Sequence, residues 1–357
     1  MKKILLLISI FTFFIVQTAS AAEYQPDLRV KVLENVAAVY IETTMPAEFQ
    51  TDRKKKIKDV NLDTHYKVEA KNGKIFIDGK NTNATTIFLR AKDRKSANEM
   101  RTFVQNTRYP GGMNFVVNKG KLIVVNVVPI EEYLRGVVPN EMQANFPLEA
   151  LKAQAITART YALKNRGKHG LDGYDLCNGV HCQVYRDVSS FNPATDEAIA
   201  ETRGQVLYFG NVIIDAPFHA DSGGRTASSK EVWGGDYVYL QSVEDIRFDP
   251  WQIESKSDFD SIAHIYKSES NRVEKITFKQ GSEFVTLTGV EIRKAFNLPS
   301  TMFDVECKNK ILTFTGYGRG HGVGMSQLGA AELAERGKSC EEILKNYFQK
   351  ITIKKLY

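Results

Sequence analysis

The segment that decides the fold runs from the turn VPNEM, Val138–Met142, into the sequence LEALKAQAITARTYA, Leu148–Ala162. The second part predicts a helix over residues 148–165, because Pro147 suits a helix start and small apolar residues recur at spacings of three and four. These apolar positions are Leu151, Ala155, Ala158 and Ala162. The turn before this helix is therefore expected to present Glu141 where a ligand can reach it.

The first residues are typical of an export signal. Lys2 and Lys3 precede an apolar run over residues 4–16, and Ala19-Ser20-Ala21 matches a small-residue cleavage site. The run is too short to cross a bilayer comfortably, so we expect residues 1–21 to be a cleaved signal peptide, with an uncleaved anchor as the alternative. No later segment is apolar enough to span a membrane. The protein is therefore expected in the periplasm, in the cell wall or in the medium.

The composition is that of an ordinary globular protein, with 43% apolar and 25% charged residues in 357. The formal net charge of +6 falls to +4 when Lys2 and Lys3 leave with the signal. So small an excess does not favour a nucleic-acid partner, which an exported protein rarely meets. It suits a surface that works near anionic envelope polymers, although a solvated surface of mixed charge explains it equally well.

The chain pattern predicts an α+β fold. Residues 22–110 read as a β-rich unit, with a hairpin at Asn72-Gly73. Residues 111–357 form a mixed second domain with a strand-rich segment at 255–315. Within this second domain we predict hairpins at 113–128 and 205–214, and helices at 291–296, 326–336 and 340–349.

Glu141 is the candidate general acid. A general acid must be reachable and must have a pKa near the working pH, which for glutamate requires partial burial against apolar groups. The expected apolar walls are Val137, Val138, Met142 and Phe146. The alternative is that Glu141 merely stabilises the first turn of a helix that starts at Pro139, where the helix dipole favours the ionised form.

Two glycine-containing segments form further candidate ligand contacts. Glycine occupies every second position from Gly316 to Gly324, so this backbone can approach a ligand closely, or can simply pack tightly against the chain. The spacing fits neither a phosphate loop nor a dinucleotide fingerprint. The turn Asp221–Thr226 follows His219, which suggests a serine hydrolase built on Ser222, but the nucleophile-elbow pattern is absent.

The four cysteines of the chain permit disulfides or metal binding. Cys177, His181 and Cys182 are close enough in sequence to share a structural zinc ion, completed by His169 or a more distant histidine. Export favours a Cys177–Cys182 disulfide about equally. Whether Cys307 and Cys340 pair is left open.

Together these segments resemble the SpoIID/LytB family, the stage II sporulation protein D type of peptidoglycan lytic transglycosylase. The resemblance covers roughly residues 110–350, which would make residues 111–357 a SpoIID-like catalytic domain. The matching segments are Asn126–Glu141, Leu148–Leu163, Cys182–Tyr185, Ala220–Thr226 and Gly318–Ala330. One departure is Gln143, where the family often has proline.

The resemblance implies a role for Glu141 as the acid and base that cleaves the glycan between N-acetylmuramic acid (MurNAc) and N-acetylglucosamine (GlcNAc), without a cofactor for the chemistry. Glycan strands stripped of their peptides are the implied substrate. The resemblance implies zinc binding at the cysteine loop, the segment with Cys177, His181 and Cys182, for only some members of the family. Gln154 and Arg159 would brace the site from the helix, and Tyr185 would stack on a sugar. The full set of implied substrate-binding residues is Gln154, Arg159, Tyr185, Ser222, Gly223, Gly224, His321 and Gln327.

Two rival hypotheses remain open from the sequence. The first is a non-catalytic envelope protein that binds peptidoglycan or activates a cell-wall amidase, a role that the resemblance also allows. The second is the serine hydrolase built on Ser222.

Overall fold

The computed structural model describes residues 25–93, 97 and 99–357. The predicted signal peptide, residues 1–21, lies outside the described residues. The chain forms two packed β-sheets, a central helical layer and a strand-rich module that precedes the last two helices. This architecture confirms the predicted α+β class.

The N-terminal unit consists of short strands whose side chains alternate between core and surface. In β1, for example, Leu28, Val30 and Val32 are buried, as a period of two requires. The strands are β1 (Asp27–Val36), β2 (Ala38–Thr43), β3 (Ala47–Gln50), β4 (Lys56–Val60), β5 (Tyr66–Lys71), β6 (Lys74–Ile77), β7 (Lys80–Asn81), β8 (Thr86–Ala91), β9 (Arg101–Val104), β10 (Thr107–Pro110), β11 (Gly112–Asn118) and β12 (Lys121–Pro129).

These strands form two sheets that enclose one hydrophobic core. One sheet has the order β10-β9-β2-β5-β6-β7. The other has the order β13-β1-β12-β11-β8-β3-β4, where β13 is the short strand Leu176–Cys177 from the predicted second domain. Strand β13 runs parallel to β1, with Lys31 opposite Cys177, and Asp175 just before it forms an ion pair with Arg29.

The predicted hairpins are confirmed. Asn72 and Gly73 both have positive φ, 50° and 72°, which is the geometry of a tight two-residue hairpin turn between β5 and β6. The hairpin β11–β12 spans the predicted residues 113–128. Because β11 also pairs with β8, and β12 with β1, the seven-stranded sheet that contains them continues across the boundary that the sequence predicts at residues 110–111.

The helical layer is built around one long helix. Its elements are α1 (Ile130–Arg135), α2 (Val138–Glu141), α3 (Leu148–Lys164) and α4 (Pro193–Glu201). Helix α3 confirms the predicted helix, but it is buried around most of its circumference rather than on one face. Ala155, Ala158 and Ala162 pack into the N-terminal core, whereas Leu151 packs into a second core formed with the C-terminal helices. Small side chains allow this close approach on both sides.

A buried ion pair joins the helical layer at its centre. The Arg159 guanidinium donates from Nε and Nη2 to the two carboxylate oxygens of Glu131, over 3.0 and 2.8 Å, and it also donates to two backbone carbonyl oxygens. Glu131 accepts in addition from Gly204 N and from the Tyr357 hydroxyl, over 3.2 and 2.5 Å. Arg159 is fully buried, so it does not contact a ligand directly, and its predicted role of bracing the site from the helix stays a prediction. It joins α1 and α3 in the interior.

The rest of the chain contains the strand-rich module and the C-terminal helices, close to the predicted residues 255–315, 326–336 and 340–349. The module is two three-stranded sheets and a helix around their own core. Its elements are β17 (Trp251–Lys256), β18 (Ser261–Lys267), β19 (Val273–Gln280), β20 (Glu283–Thr288), α6 (Gly289–Ala295), β21 (Phe303–Lys308) and β22 (Ile311–Gly316). The remaining elements are β14 (Gln205–Phe209), β15 (Val212–Ile213), β16 (Phe218–His219), α5 (Ser229–Trp233), β23 (Met325–Ser326), α7 (Gln327–Glu335), α8 (Cys340–Tyr347) and β24 (Thr352–Lys355).

Within residues 25–93, 97 and 99–357, no helix combines the length and the apolar character that crossing a bilayer requires.

The central ion pair generates a stability prediction. Glu131→Gln leaves the Arg159 charge buried without its counter-ion, so the free energy of unfolding should fall by about 3–5 kcal/mol in urea titrations. The matched control is Glu132→Gln on the same helix. Glu132 forms its ion pairs with Arg101 and Arg135 nearer to solvent, and its loss should cost about 1 kcal/mol. Equal losses in the two variants would contradict a central role for the buried pair.

Candidate active site

Glu141 is the last residue of the single-turn helix α2, which begins at Val138 and has Pro139 as its second residue. The chain leaves this turn at once in an extended conformation at Met142. The carboxylate oxygen Oε1 accepts a hydrogen bond of 2.5 Å from the Val184 backbone N–H. Val138 and Met142, on either side, are buried in the first and the second core, so two of the predicted apolar walls are anchored there.

Two effects on the pKa of Glu141 oppose each other, namely burial of its carboxyl and the dipole of the helix that carries it. Burial raises the pKa of its carboxyl to about 7, whereas the Val184 N–H and the positive charge of Arg186 act to lower that pKa. A helix of four residues has only a weak dipole, so desolvation outweighs it. The carboxyl is therefore poised to exchange a proton near neutral pH.

Glu141 faces a cleft of about 530 Å³ whose lining is mostly polar or aromatic. The predicted residues His321 and Gln327 line the same cleft, as do Asp215, His219 and Trp233, which the sequence analysis did not select as binding residues. The full lining is Glu141, Tyr161, Asn165, Lys168, Val180, His181, Cys182, Asp215, Pro217, Phe218, His219, Ala220, Trp233, Gly320, His321 and Gln327.

His219 is a cleft residue that the sequence did not predict as a ligand contact. Its Nδ1–H donates to the Val323 carbonyl oxygen over 3.1 Å, while its Nε2 is buried with no protein partner among the described residues. Burial, followed by the nearby His321 and Arg272, holds its pKa well below the usual value. The ring is therefore neutral, and Nε2 offers a lone pair at the cleft wall. Its signal in the sequence was only its position ahead of Asp221.

The glycine-alternating segment packs tightly against the protein itself. Gly320, Gly322 and Gly324 have φ of 110°, 83° and 74°, which disfavour other residues. A Cβ on Gly320 would lie 2.8 Å from the His219 Cβ, and one on Gly324 would lie 2.2 Å from a backbone oxygen. Close packing against the chain, the alternative left open for these glycines, therefore accounts for them.

This close packing positions His321 in the cleft. Its ring centroid lies 5.5 Å from that of His219 and 5.3 Å from that of Trp233. The Nδ1 atom of His321 accepts a hydrogen bond of 3.1 Å from Val323 N–H. Burial, with the charges of Arg293 and Arg272, lowers the pKa of His321 to about 4, so this imidazole is neutral at working pH.

Gln327 and Gln154 form one amide pair below the cleft. Gln327 opens α7 and donates from Nε2 to the Gln154 Oε1 atom over 3.4 Å. Gln154 is fully buried on α3, and its own Nε2 has no partner among the described residues. The two predicted residues are thus brought together, with Gln327 at the cleft and Gln154 supporting it from behind.

The Ser222 turn does not contact the cleft. Ser222 is fully buried, and its hydroxyl donates to the Asp245 carboxylate over 2.6 Å rather than to a histidine. A Cβ on Gly223 would lie 2.7 Å from the Met302 sulfur, and one on Gly224 would lie 2.9 Å from the Arg247 side chain. The prediction that Ser222, Gly223 and Gly224 bind substrate is therefore wrong, and the serine hydrolase hypothesis loses its nucleophile.

Tyr185 is also a structural residue. It is buried, its hydroxyl donates to the Asn126 Oδ1 atom over 2.7 Å, and its ring stacks on Tyr133 with centroids 5.0 Å apart. No face of this ring is left for a sugar, so the predicted stacking role is wrong. Gly136 adjoins the same ring so closely that a Cβ there would lie 2.7 Å from it.

The cysteine loop brings together all four predicted metal-ligating residues, His169, Cys177, His181 and Cys182. Their ligand atoms lie within 4.8 Å of one another. The Cys182 sulfur lies 3.4 Å from the His169 Nε2 atom and 3.5 Å from the His181 Nδ1 atom, and the Cys177 sulfur lies 3.8 Å from the latter. Zinc bonds of about 2.3 Å to sulfur and 2.0 Å to nitrogen place tetrahedral ligands about 3.5 Å apart, so the set fits zinc.

The disulfide alternatives are not observed. Cys177 and Cys182 are both free thiols. Cys307 packs in the core of the strand-rich module, whereas Cys340 packs in the second core, so these two cysteines do not pair either.

The fold and the cleft together define a class of α+β protein in which one half-buried glutamate faces a polar cleft beside a Cys₂His₂ cluster. Comparison with known proteins identifies the family. The family model for the stage II sporulation protein (SpoIID) matches residues 118–209, and a model for a domain of unknown function matches residues 252–324.

Individual relatives agree with this match. Stage II sporulation protein D of Bacillus subtilis is 32% identical to the chain over 63% of this chain and 74% of that protein. An uncharacterised protein of Brachyspira hyodysenteriae is 31% identical over 69% of this chain and 72% of its own length. The amidase enhancer of Bacillus subtilis is 27% identical over 81% of this chain and 50% of that protein. The chain belongs to the stage II sporulation protein D family.

The raised pKa of Glu141 has a measurable effect on stability. The folded carboxyl holds its proton more tightly than the unfolded one, so the wild type loses stability as the pH rises from 4.5 to about 7. Glutamine carries no such proton. Glu141→Gln should therefore match the wild type below pH 4.5 and exceed it by about 3 kcal/mol above pH 7 in urea titrations.

Glu149→Gln is a control of opposite sign. The Lys152 ammonium, together with the Cys340 N–H, lowers the pKa of Glu149, so its carboxylate stabilises the fold above its unfolded pKa. This variant should lose stability at neutral pH and not at low pH. A Glu141→Gln variant no more stable than the wild type at pH 8 would exclude the raised pKa.

Proposed function

We propose that the protein is an exported peptidoglycan lytic transglycosylase that cleaves the bond between MurNAc and GlcNAc, with Glu141 as its single acid and base. The observation that carries this proposal is the half-buried Glu141 carboxyl, whose pKa of about 7 is reached in an open cleft. Near neutral pH such a group populates both protonation states, as a residue that first donates and then accepts a proton must.

The first step is protonation of the leaving group. The Glu141 Oε1 atom accepts from Val184 N–H, so Oε2 is the oxygen that carries the proton. It donates this proton to the glycosidic oxygen as the bond from that oxygen to C1 of MurNAc breaks. The bonding electrons leave with the oxygen, and the sugar passes through an oxocarbenium-like state.

The second step closes a ring. The Glu141 carboxylate accepts the proton of the MurNAc 6-hydroxyl, and the oxygen of that hydroxyl forms a bond to C1. The product is a 1,6-anhydro end, Glu141 regains its proton, and no water is consumed. One carboxyl group therefore suffices for the whole cycle.

The neutral histidines and the amide pair would orient the sugar. His219 Nε2 is a buried hydrogen-bond acceptor that suits a sugar hydroxyl or an acetamido N–H. Gln327 adds an amide group at the same cleft. Because the rings of His219 and His321 stay neutral, they do not compete with Glu141 for its proton.

We further propose a structural zinc ion on His169, Cys177, His181 and Cys182. Bound there, it supplies no step of the chemistry but fixes the loop that leads to Val184. The role of this loop is to hold the Val184 N–H against Glu141, and so to decide which carboxyl oxygen carries the proton.

A hydrolase is the competing chemistry because a second carboxylate, that of Asp215, lines the same cleft. Asp215 accepts a hydrogen bond of 3.1 Å from the Asn165 side chain. A hydrolase uses its second carboxylate to activate water or to form a covalent intermediate. The identity of the sugar ends separates the two reactions.

The reaction prediction is tested on purified glycan strands stripped of their peptides. Wild-type protein should release fragments with 1,6-anhydro ends in mass spectrometry, and Glu141→Gln should lower the rate by about two to four orders of magnitude. Asp215→Asn should retain the anhydro products. Reducing ends together with an inactive Asp215→Asn would establish hydrolysis instead.

A non-catalytic role is the second candidate function, since one relative is named an amidase enhancer. On this hypothesis the protein binds peptidoglycan and activates a cell-wall amidase. Full amidase activation by Glu141→Gln, without new sugar ends from the wild type, would favour it over glycan cleavage.

The zinc proposal predicts roughly one zinc ion per chain by elemental analysis. Cys177→Ser and Cys182→Ser should lose this zinc and melt at a lower temperature, because metal binding contributes directly to folding. Cys307→Ser, outside the cluster, should keep it. Equal zinc content in all three variants and the wild type would exclude the assigned ligands.

A further inference from the structure

A second cavity of about 570 Å³ lies between the strand-rich module and the rest of the protein. It shares the lining residues Trp233 and His321 with the catalytic cleft, so both spaces border these two side chains. Its other walls come from α5, from β19 and the turn before it, from the end of β20 and the start of α6, and from the segment before β21. Those residues include Arg272, Thr288, Val290, Arg293 and Thr301.

We propose that this second cavity is a further sugar subsite that binds the glycan strand as it leaves the catalytic cleft, with Trp233 as its stacking platform and Arg293 as the group that binds a free carboxylate on the strand. The proposal rests on the function proposed above and adds a binding site for the part of the glycan strand that extends beyond the catalytic cleft.

Trp233 has the exposure and the rigid support that a stacking platform needs. Half of its surface is exposed, and it lines both cavities, so its ring is accessible to a ligand in either. The short helix that carries it is held by a reciprocal cap between Ser228 and Glu231, and Gly234 ends it in a left-handed conformation. A rigid indole gives the apolar face of a sugar ring a large contact area at little entropic cost.

Arg293 provides a cation without an acidic partner among the described residues. Its Nε donates to the Leu298 carbonyl oxygen over 3.2 Å, and no ion pair engages it among the residues that the structure describes. Partial burial lowers its pKa, so it gains from an anionic ligand. A guanidinium binds a carboxylate through two parallel hydrogen bonds.

The neighbouring charges leave this guanidinium available. The Glu231 carboxylate accepts from the backbone N–H groups of Ser228 and Ser270, and the Arg272 guanidinium donates to the carbonyl oxygens of Ser222 and Arg225. Glu274 is exposed at the cavity wall. The carboxylate that fits Arg293 is the lactyl group of MurNAc, which is free only when the stem peptide has been removed.

The experiment is calorimetric binding to Glu141→Gln, which holds strands without cleaving them. The ligands are peptide-free MurNAc–GlcNAc oligosaccharides of increasing length, and GlcNAc oligomers of the same lengths, which lack the carboxylate. Affinity for both should rise from the disaccharide to longer strands. Adding the Trp233→Ala substitution should lower the affinity for long strands of both kinds by about tenfold.

Adding Arg293→Gln should weaken binding of only the long MurNAc-containing strands, by about five- to tenfold, and Arg293→Lys should restore only part of this loss, because lysine keeps the charge but not the two parallel hydrogen bonds. The matched controls are Tyr237→Ala, an equally exposed aromatic residue outside both cavities, and Lys294→Gln, the next residue on α6. Both should bind as the parent does.

Three outcomes overturn the proposal. Unchanged affinities in the Trp233→Ala and Arg293→Gln variants would remove the subsite while leaving glycan cleavage intact. An equal loss with GlcNAc oligomers in Arg293→Gln would remove the carboxylate contact. If the parent bound none of the sugars, both this subsite and the proposed glycan substrate would fall.

Discussion

The buried ion pair between Glu131 and Arg159 is the interaction on which the rest of the structure depends. It is costly to desolvate, and it is stable only because four further backbone or hydroxyl groups complete its hydrogen bonds. It fixes α1 against α3, and α1 leads directly into the single turn that ends in Glu141. The same helix α3 carries Gln154 below the cleft. The orientation of the candidate acid is therefore set from the interior of the molecule.

The candidate site illustrates an opposition between stability and chemistry. Burial of the Glu141 carboxyl disfavours its ionised form, and the Val184 N–H compensates only in part. That N–H comes from the loop that follows the Cys₂His₂ cluster. The environment of the acid thus depends on a loop that is remote from α2 in sequence. The cleft combines a carboxyl whose ionised form is disfavoured by burial with two histidines that remain neutral.

Local features of this fold could be predicted from the sequence because neighbouring residues determine them. The Asn72-Gly73 turn and helix α3 are examples, since left-handed turn residues and helical spacing act over a few positions. The cleft residues were predicted less well. Ser222 and Tyr185 have the right chemistry for a ligand but face distant parts of the chain. His219 is recognisable only in the folded chain, where its Nδ1 atom bonds to the distant Val323 carbonyl oxygen and its buried Nε2 atom has no partner among the described residues.

The parallel pairing of β13 with β1 bears on where the functional unit begins. Cys177 lies opposite Lys31 on the first described strand, and the Arg29–Asp175 ion pair reinforces this contact. The matched family segment starts at residue 118, yet the cysteine loop is attached to a strand that lies far upstream of it. The β-rich unit thus holds the cysteine loop, residues 169–184, in position through β1. A shortened chain that lacked β1 would keep every residue of the matched family segment. It would lose the strand pairing and the ion pair that hold the cysteine loop in place.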